Sequence, residues 1–599
     1  MKTYRPLTYL EIVQLEAQHC LCTDWNLIEV SPDFSTKNIR CSRFSGKIRL
    51  GASIAIDNAQ LTNCDIADNV QIFDSTIFNY TIEKQAFIDK VAQMETRPKA
   101  RFGNGVRVSV LDETGSRALP IAELLNAPTA YLLATQQHDK KLIAALENLI
   151  NRFAESRQSD LGTIGKASVI RFCTQITDVN IAANALVEGA NLLYNGSIGI
   201  GAEVGTGVIA RDFIMAPYAK VLDSSQLEAC FVGESCFISK AFSATHSLFF
   251  ANCEMMHGEA VSAFAGPFTV SHHRSSLLIA SIFSFFNAGS GSNMSNHAYK
   301  LGAMHHGVLR RGSKMASDSY LMLPSRIGAF SVVLTKVKKR IDTEVFPFSY
   351  IVENHGDYNL MPAMNTTSVG TYRDCKKWLV RDKRKHADLL DPICFAWLNP
   401  NIAQQILTAI ETLKTLQEKH PEAASYTHGG CKIATAFVPR AIAHYQMLLD
   451  MYVGEILSKN IPASTDDCSG KWLDLAGLVI PEMMINFLSE KLKRGEITNL
   501  ENWNKQLNFV HSDAYSKMEA AWAKPYLANP ETVTENAAKA REKYKNILLA
   551  DAAKEFSAEA KICFGLDSDA ESKNAEFSVL RGKFEENSVV LDIQKEFGT

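Results

Sequence analysis

The sequence predicts a mainly β chain, a parallel β-helix solenoid with a helical insertion and an α-helical C-terminal domain. Two observations carry the solenoid. Through 164–238 an aliphatic residue returns every five or six positions, once after seven, at Ile164, Ile170, Ile176, Ile181, Val187, Leu192, Ile198, Val204, Ile209, Ile214, Val221, Leu227, Val232 and Ile238. Gly, Ala, Ser, Asn or Cys fill much of the space between. A helix needs apolar residues at a 3.6 spacing and a half-buried strand every second residue, so this beat fits a chain coiling around a narrow prism, one short strand per side. A third observation, the return of helical spacing beyond Tyr372, places the C-terminal domain.

In chain order, Thr8-x-x-Glu11 forms a capping box that opens a short helix with Ile12 and Leu15 on one face. The beat begins at Ile39, Phe44, Leu50, Ile56, Leu61, Ile66, Ile72, Ile77 and Ile82, with a further solenoid fragment at Val106-Arg107-Val108-Ser109-Val110. Leu142, Leu146, Leu149, Ile150 and Phe153 then fall at helical spacing after breaks at Pro120 and Pro128. The second block weakens after Ser239 and recovers over 321–334. Its corners suit Gly and Ala, as in Ile198-Gly199-Ile200-Gly201, where a tight turn leaves little room for a side chain. Beyond it, Ile402, Ile406, Ile410, Leu413 and Leu416 make an apolar stripe, and 438–457, 481–492, 502–523 and 533–556 supply further helices. Val589-Val590-Leu591-Asp592-Ile593 is assigned as a last strand. The predicted limits are a helical cap at 1–37, a first β-helix block at 38–116, a helical insertion at 117–160, a second block holding the candidate site at 161–371, and a helical domain at 372–599.

With 599 residues, 46% apolar and 21% charged, the chain has length for two or three units and the composition of a soluble globular protein. A net charge of −3 gives no electrostatic ground for wholesale binding to nucleic acid or an anionic membrane. Thirteen cysteines without repeated CxxC pairs read as reduced thiols, which with the lack of an apolar leader points to the cytoplasm. The most apolar stretch, 277–286, is too short to span a bilayer. No membrane insertion is expected.

Between 245 and 319 the sequence turns polar where a repeat should continue. Within it, Gly289-Ser290-Gly291-Ser292-Asn293-Met294-Ser295-Asn296-His297 leads into Tyr299-Lys300. Gly and Ser allow close backbone approach to a ligand, Asn293 and Asn296 can read hydroxyls, and His297 with Lys300 offers a base and a cation; His273 is the other candidate imidazole. Arg311 and Lys314, with Lys300, make a phosphate cradle. The plainer reading is a solenoid corner with an Asn ladder and solvated charges. His272-His273 and His305-His306 invite a metal, but adjacent residues of an extended chain face opposite ways, so no metal ligand is assigned. Cys230, Cys236 and Cys253 fall on the beat as small core residues, and Arg381-Asp382-Lys383-Arg384-Lys385 reads as a charged linker.

On these residues the chain resembles the hexapeptide-repeat, left-handed β-helix superfamily, in the arrangement of the UDP-N-acetylglucosamine acyltransferases, and more closely an uncharacterised family of long bacterial solenoid proteins. The resemblance implies the left hand, a homo-oligomer packed as a trimer, and a transferase moving an acyl group to a sugar or nucleotide sugar, with acyl-coenzyme A as co-substrate. His297 would then be the general base, Asn293, Asn296 and Tyr299 substrate-binding groups, and Lys300, Arg311 and Lys314 the phosphate contacts. Two alternatives stand beside it. One is a hydrolytic or metal-dependent carbohydrate enzyme using Glu254 or Asp318 with a histidine; the other is a non-catalytic scaffold for binding or assembly.

Overall fold

Stacked coils make up most of the chain up to Asn354. In the computed structural model, which describes residues 3–297, 300–385, 389–465 and 468–598, most short strands lie parallel to and in register with a strand sixteen to eighteen positions further on. A turn is therefore three of the beats read from the sequence. Ile164, Ile181, Ile198, Met215, Val232 and Phe249 form one inward column. Ile170, Val187, Val204, Val221, Ile238 and Met255 form a second. None of these twelve is more than 2% exposed, and each fully buried side chain of this size contributes about 1.5–3 kcal/mol.

The third column corrects the sequence register. It runs through Ile176, Leu193, Ala210, Leu227 and Ala244, so Leu193 and Ala210 point inward while Leu192 and Ile209 are only half-buried. Strand side chains alternate between faces, and a narrow prism accepts Ala inside with the larger neighbour outside. Corners take left-handed backbone, as at Asn195 and Asp212, whose side chains also bond each other at 2.6 Å.

The chain leaves the prism at two corners. Gln93–Glu95 and Gly162–Ile164 both pair with Thr76–Ile82, so residues 97–161 are an excursion from one turn. It contains an antiparallel hairpin of Arg107–Ser109 with Ala118–Pro120, followed by helices α2 (Ala127–Thr135) and α3 (Lys140–Ser156). The fragment at 106–110, expected as a solenoid rung, belongs to that hairpin: alternation alone does not separate a parallel rung from a hairpin strand. The second departure lies between the strands ending at Ser295 and beginning at Gly307, where one turn earlier Ala280 alone makes the corner. Elsewhere across 245–319 the ladder is unbroken, through Met255, Ser271, Ala288, Met315 and Val333. The weakened beat thus reflects small residues taking inward places and His246 and His257 taking left-handed corners, not a general breakdown of the rungs.

Helix α1 (Tyr9–Ala17) has the predicted capping box, with Glu11 N–H donating to Thr8 Oγ1 and Thr8 N–H to Glu11 Oε2. Solenoid pairing already starts at Leu21–Cys22 against Arg43–Ser45, inside the stretch assigned to the cap. After the last rung, Tyr350–Asn354, come α4 (Val369–Val380), α5 (Pro400–Lys419), α6 (Val438–Lys459), α7 (Glu482–Lys493), α8 (Leu500–Phe509), α9 (Tyr515–Ala523), α10 (Pro530–Ala553), α11 (Ala570–Arg581) and α12 (Ser588–Phe597). Residues 589–593 are helical and not the expected strand: Asn587 caps Val589 N–H, and Val590, Ile593 and Phe597 bury one helical stripe. The helices cover one side of the prism, where Trp378 of α4 lies 4.4 Å from the Phe285 ring and Trp397 stacks on Tyr544. Among the described residues no helix is long and apolar enough to cross a membrane. All thirteen cysteines are free, and Cys230, Cys236 and Cys253 lie in the core as expected.

Candidate functional site

The residues singled out between 273 and 314 do not meet around one cavity. Asn293 sits in a rung between Leu277 and Tyr320. Asn296 is fully buried, its Nδ2 donating to Glu113 Oε2 at 2.7 Å and to the Ala303 carbonyl, which ties the 296–306 loop to the excursion hairpin. His297 and Lys300 are exposed on that loop, His273 is exposed on another corner, and Tyr299 lies outside the described residues. Arg311 turns the other way, into the helical layer. Its Nε donates to Asp474 at 2.6 Å, its two terminal nitrogens to the carbonyls of Cys394 and Gly477, and its carbon lies 4.3 Å from the centre of the Phe285 ring. Lys314 is paired with Asp374 at 2.6 Å. The phosphate cradle is thereby divided: Arg311 and Lys314 join solenoid to helices, and Lys300 stands apart.

The carboxylates named for the hydrolytic alternative are also paired. Glu254 accepts from His272 and Lys383, and the histidine contact leads in holding its carboxyl down at about 2. Asp318 pairs with Lys336. Among the described residues no three His, Cys, Asp or Glu side chains converge as a metal site would require.

A larger space opens elsewhere, a cleft of about 1120 Å³ between one corner of the prism and the helical layer. Its floor runs along one corner of the prism, where half-buried Ile200 and Pro217 face the cleft on successive turns and the core residues Ile181, Ile198 and Met215 lie beneath. Gly199 is required at this corner, because a Cβ there would stand 2.6 Å from the Ala216 carbonyl carbon. The opposite wall comes from Asp382, Arg384 and residues 389–395 and from the junction of α8 and α9, where Val510–Ala514 makes one π turn, a feature frequent at functional sites. The excursion closes one end with Glu123, Leu124 and Arg157.

His511 projects from the π turn to line the cleft, and its Nδ1 is buried without a hydrogen-bond partner among the described residues. Burial, then the Arg384 and Arg311 guanidiniums, push its pKa down to about 4, so the ring is neutral at physiological pH. Of the nearby cations, Arg157 pairs with Glu123 and Arg384 forks onto Asp382. Lys505, also on the rim, has no ion-pair partner among the described residues. Leu390 and Asp391 of the wall donate their N–H groups to Glu234, a carboxyl buried in the prism corner.

Sequence reasoning missed His511, Glu234, Asp391 and the helical face of the cleft. A signal for Glu234 was present: laying Gly233-Glu234-Ser235 over Gly199-Ile200-Gly201, two turns earlier, puts an acid where the corner otherwise carries apolar residues. Residues 381–385, read as a charged linker, do contribute Asp382 and Arg384.

Comparison with known proteins adds family membership without chemistry. Residues 454–599 match a domain of unknown function (DUF6819). An uncharacterized protein of Treponema pallidum (strain Nichols) is 27% identical over 430 residues, which cover 64% of this chain and 58% of that relative. The match thus spans less than two thirds of the relative's length. Residues 4–417, the whole solenoid with its excursions and the first part of the helical layer, match the model of a domain of unknown function (DUF4954), and the chain belongs to that family.

Proposed function

We propose that the chain is a group-transfer enzyme acting on a sugar or nucleotide sugar, and that its site is the cleft and not the 289–314 segment. The observation that carries this is an imidazole whose Nδ1 has no protein partner among the described residues, on the wall of a cleft large enough for a two-part ligand. The apolar floor suits an acyl chain or the C–H face of a sugar ring. The amide N–H groups of Asn180 and the amide oxygen of Asn508 have no hydrogen bond within the protein among the described residues and suit hydroxyls. Lys505 suits a phosphate, while Arg157 and Arg384 are already neutralised.

In the acyl-transfer form of this reading, a sugar hydroxyl oxygen bonds to the acyl carbon of an acyl thioester as the C–S bond breaks. His511 takes the hydroxyl proton and returns it to the departing thiolate. An imidazole held near pKa 4 is a weak base at neutral pH, so a bound anionic group close to it is needed to raise its proton affinity. Membership of the left-handed hexapeptide-repeat superfamily and trimeric packing are part of the same proposal; light scattering in solution tests the latter.

Thermal unfolding with UDP-N-acetylglucosamine or acetyl-coenzyme A as probes tests binding, and release of free thiol when both are present tests transfer. Stabilisation by at least one probe, lost in Lys505→Ala and His511→Gln, is expected. No stabilisation by either probe at millimolar concentration, with no thiol release, overturns the reading.

A further inference from the structure

Glu234 sits at a corner where successive turns place Ala183, Ile200, Pro217, Glu234, Ala251 and Pro267 one above another. Its neighbours in the stack are apolar, yet its side chain is a carboxyl only 2% exposed. Three carboxyl groups meet here around one guanidinium. Arg384 is committed to Asp382 by a two-pronged contact and also donates to the Asp391 carbonyl at 2.6 Å. Its Nη1 stands 3.9 Å from Glu234. Asp391 spends one oxygen on Ala127 N–H, at the start of α2, and the other on Ala251 N–H, at the next corner of the prism. Glu234 Oε2 accepts from Leu390 and Asp391 N–H at 3.0 and 3.3 Å, and Oε1 is buried with no partner among the described residues.

These few bonds fasten the 389–395 wall of the cleft both to the solenoid and to the excursion. Among the described residues, the titratable groups around the cluster besides Asp391, Arg384 and Asp382 are His511, which faces Arg384 from the helical layer, and the Cys236 and Cys253 thiols of the core, the first of them within reach of the Asp391 charge. None of these supplies a second positive charge at neutral pH. With every carboxyl ionised, two negative charges would stand in one buried space where the single guanidinium among the described residues is already neutralised by Asp382, an unfavourable arrangement in a low-dielectric interior.

We infer that Glu234 and Asp391 share one exchangeable proton and that its loss loosens the 389–395 wall from the prism, so that pH regulates access to the cleft. Burial, and after it the charge of Asp391, push the Glu234 carboxyl up to about 7, which places the change within the physiological range. Burial pushes Asp391 in the same direction. The consequence for ligand exchange rests on the cleft being a binding site; the loosening itself does not.

Hydrogen exchange of the full chain at pH 6 and pH 8, corrected for intrinsic exchange rates and without ligand, reads the fastening directly. In the wild type, protection at Leu390, Asp391, Ala127 and Ala251 should fall roughly tenfold by pH 8, since opening gains about a decade per pH unit above the transition. Glu234→Gln keeps an oxygen for the same N–H donors but has no proton to lose, so its protection should not change with pH. Asp391→Asn, which removes the repulsion, should flatten the response as well. Unchanged protection of the Ile170 column shows that each variant retains the prism. Wild-type protection equal at both pH values, or an undiminished fall in Glu234→Gln, overturns the inference. Because no ligand is present, failure here leaves the probe-binding test untouched, and a cleft that binds neither probe leaves this result standing.

Discussion

Replacing Arg311 by Met separates its two readings, phosphate contact and structural tie. The side chain is 1% exposed and its partner Asp474 9%. Met keeps much of the apolar stem and its contact with Phe285, but removes the ion pair, leaves the buried Asp474 carboxylate with only the Gly477 N–H among the described residues, and takes the Arg311 donors from the Cys394 carbonyl and from the Gly477 carbonyl, which keeps the Cys394 N–H. Removing one partner of a buried pair costs about 3–5 kcal/mol. A chain of this size does not unfold in one step, so the loss is best measured locally. The Cys394 N–H, bonded to the Gly477 carbonyl at 2.9 Å, reports the joint between linker and helical layer. If it exchanges through opening of that joint, its rate should rise by about two to nearly four decades, at 1.36 kcal/mol per decade. Asp474→Asn combined with Arg311→Met should recover part of the loss, because no unpaired carboxylate remains. Unchanged exchange in Arg311→Met would refute the structural role and return the guanidinium to the solvent-facing cradle read from the sequence.

Further outcomes follow from the geometry. His511 should stay neutral in NMR titrations down to about pH 5, and a ring titrating near 6.5 would show that the π turn is not buried against the cleft. The unfolded chain takes up this proton near 6.5 and the folded chain only near 4, so stability should be unaffected above that window and fall by about 3 kcal/mol as pH drops through it. Glu234 carries the opposite sign, its contribution being complete below its unfolded value and lost as pH rises through about 7. Gly199→Val drives its Cβ into the Ala216–Pro217 backbone and should lower the thermal unfolding temperature by the equivalent of about 1–3 kcal/mol or more, whereas Gly470→Val, with nothing within 4 Å, should be nearly neutral; equal effects would place the corner elsewhere.

The prism was legible because its cause is local and repeated. Each turn buries its own residues against the next at a nearly constant spacing, so the periodicity survives in one dimension, and the capping box at Thr8 and the helices beyond Tyr372 are likewise short-range patterns. Errors came where a local signal has two spatial meanings. Leu192 and Leu193 differ only in the face they point to, the alternation at 106–110 suits a hairpin as well as a rung, and the β-branched run at 589–593 bends to helix once Asn587 caps it and the apolar stripe finds a surface. The polar stretch at 245–319 looked like a disrupted repeat because left-handed corners accept His as well as Asn, while Ser and Ala can fill the inward columns.

The sequence by itself therefore determined the coil, its small-residue corners and the change to helices, all consequences of contacts between residues one turn or less apart. Only the tertiary structure decided which polar residues share a space. Glu234 meets Leu390 across 156 positions, Asp391 meets Ala127 across 264, and Asn126 meets Asn504 across 378. Those pairings exist because the excursion and the helical layer both fold back onto one corner of the prism, and a burial gain spread over so many separate segments leaves no period in the chain to be read.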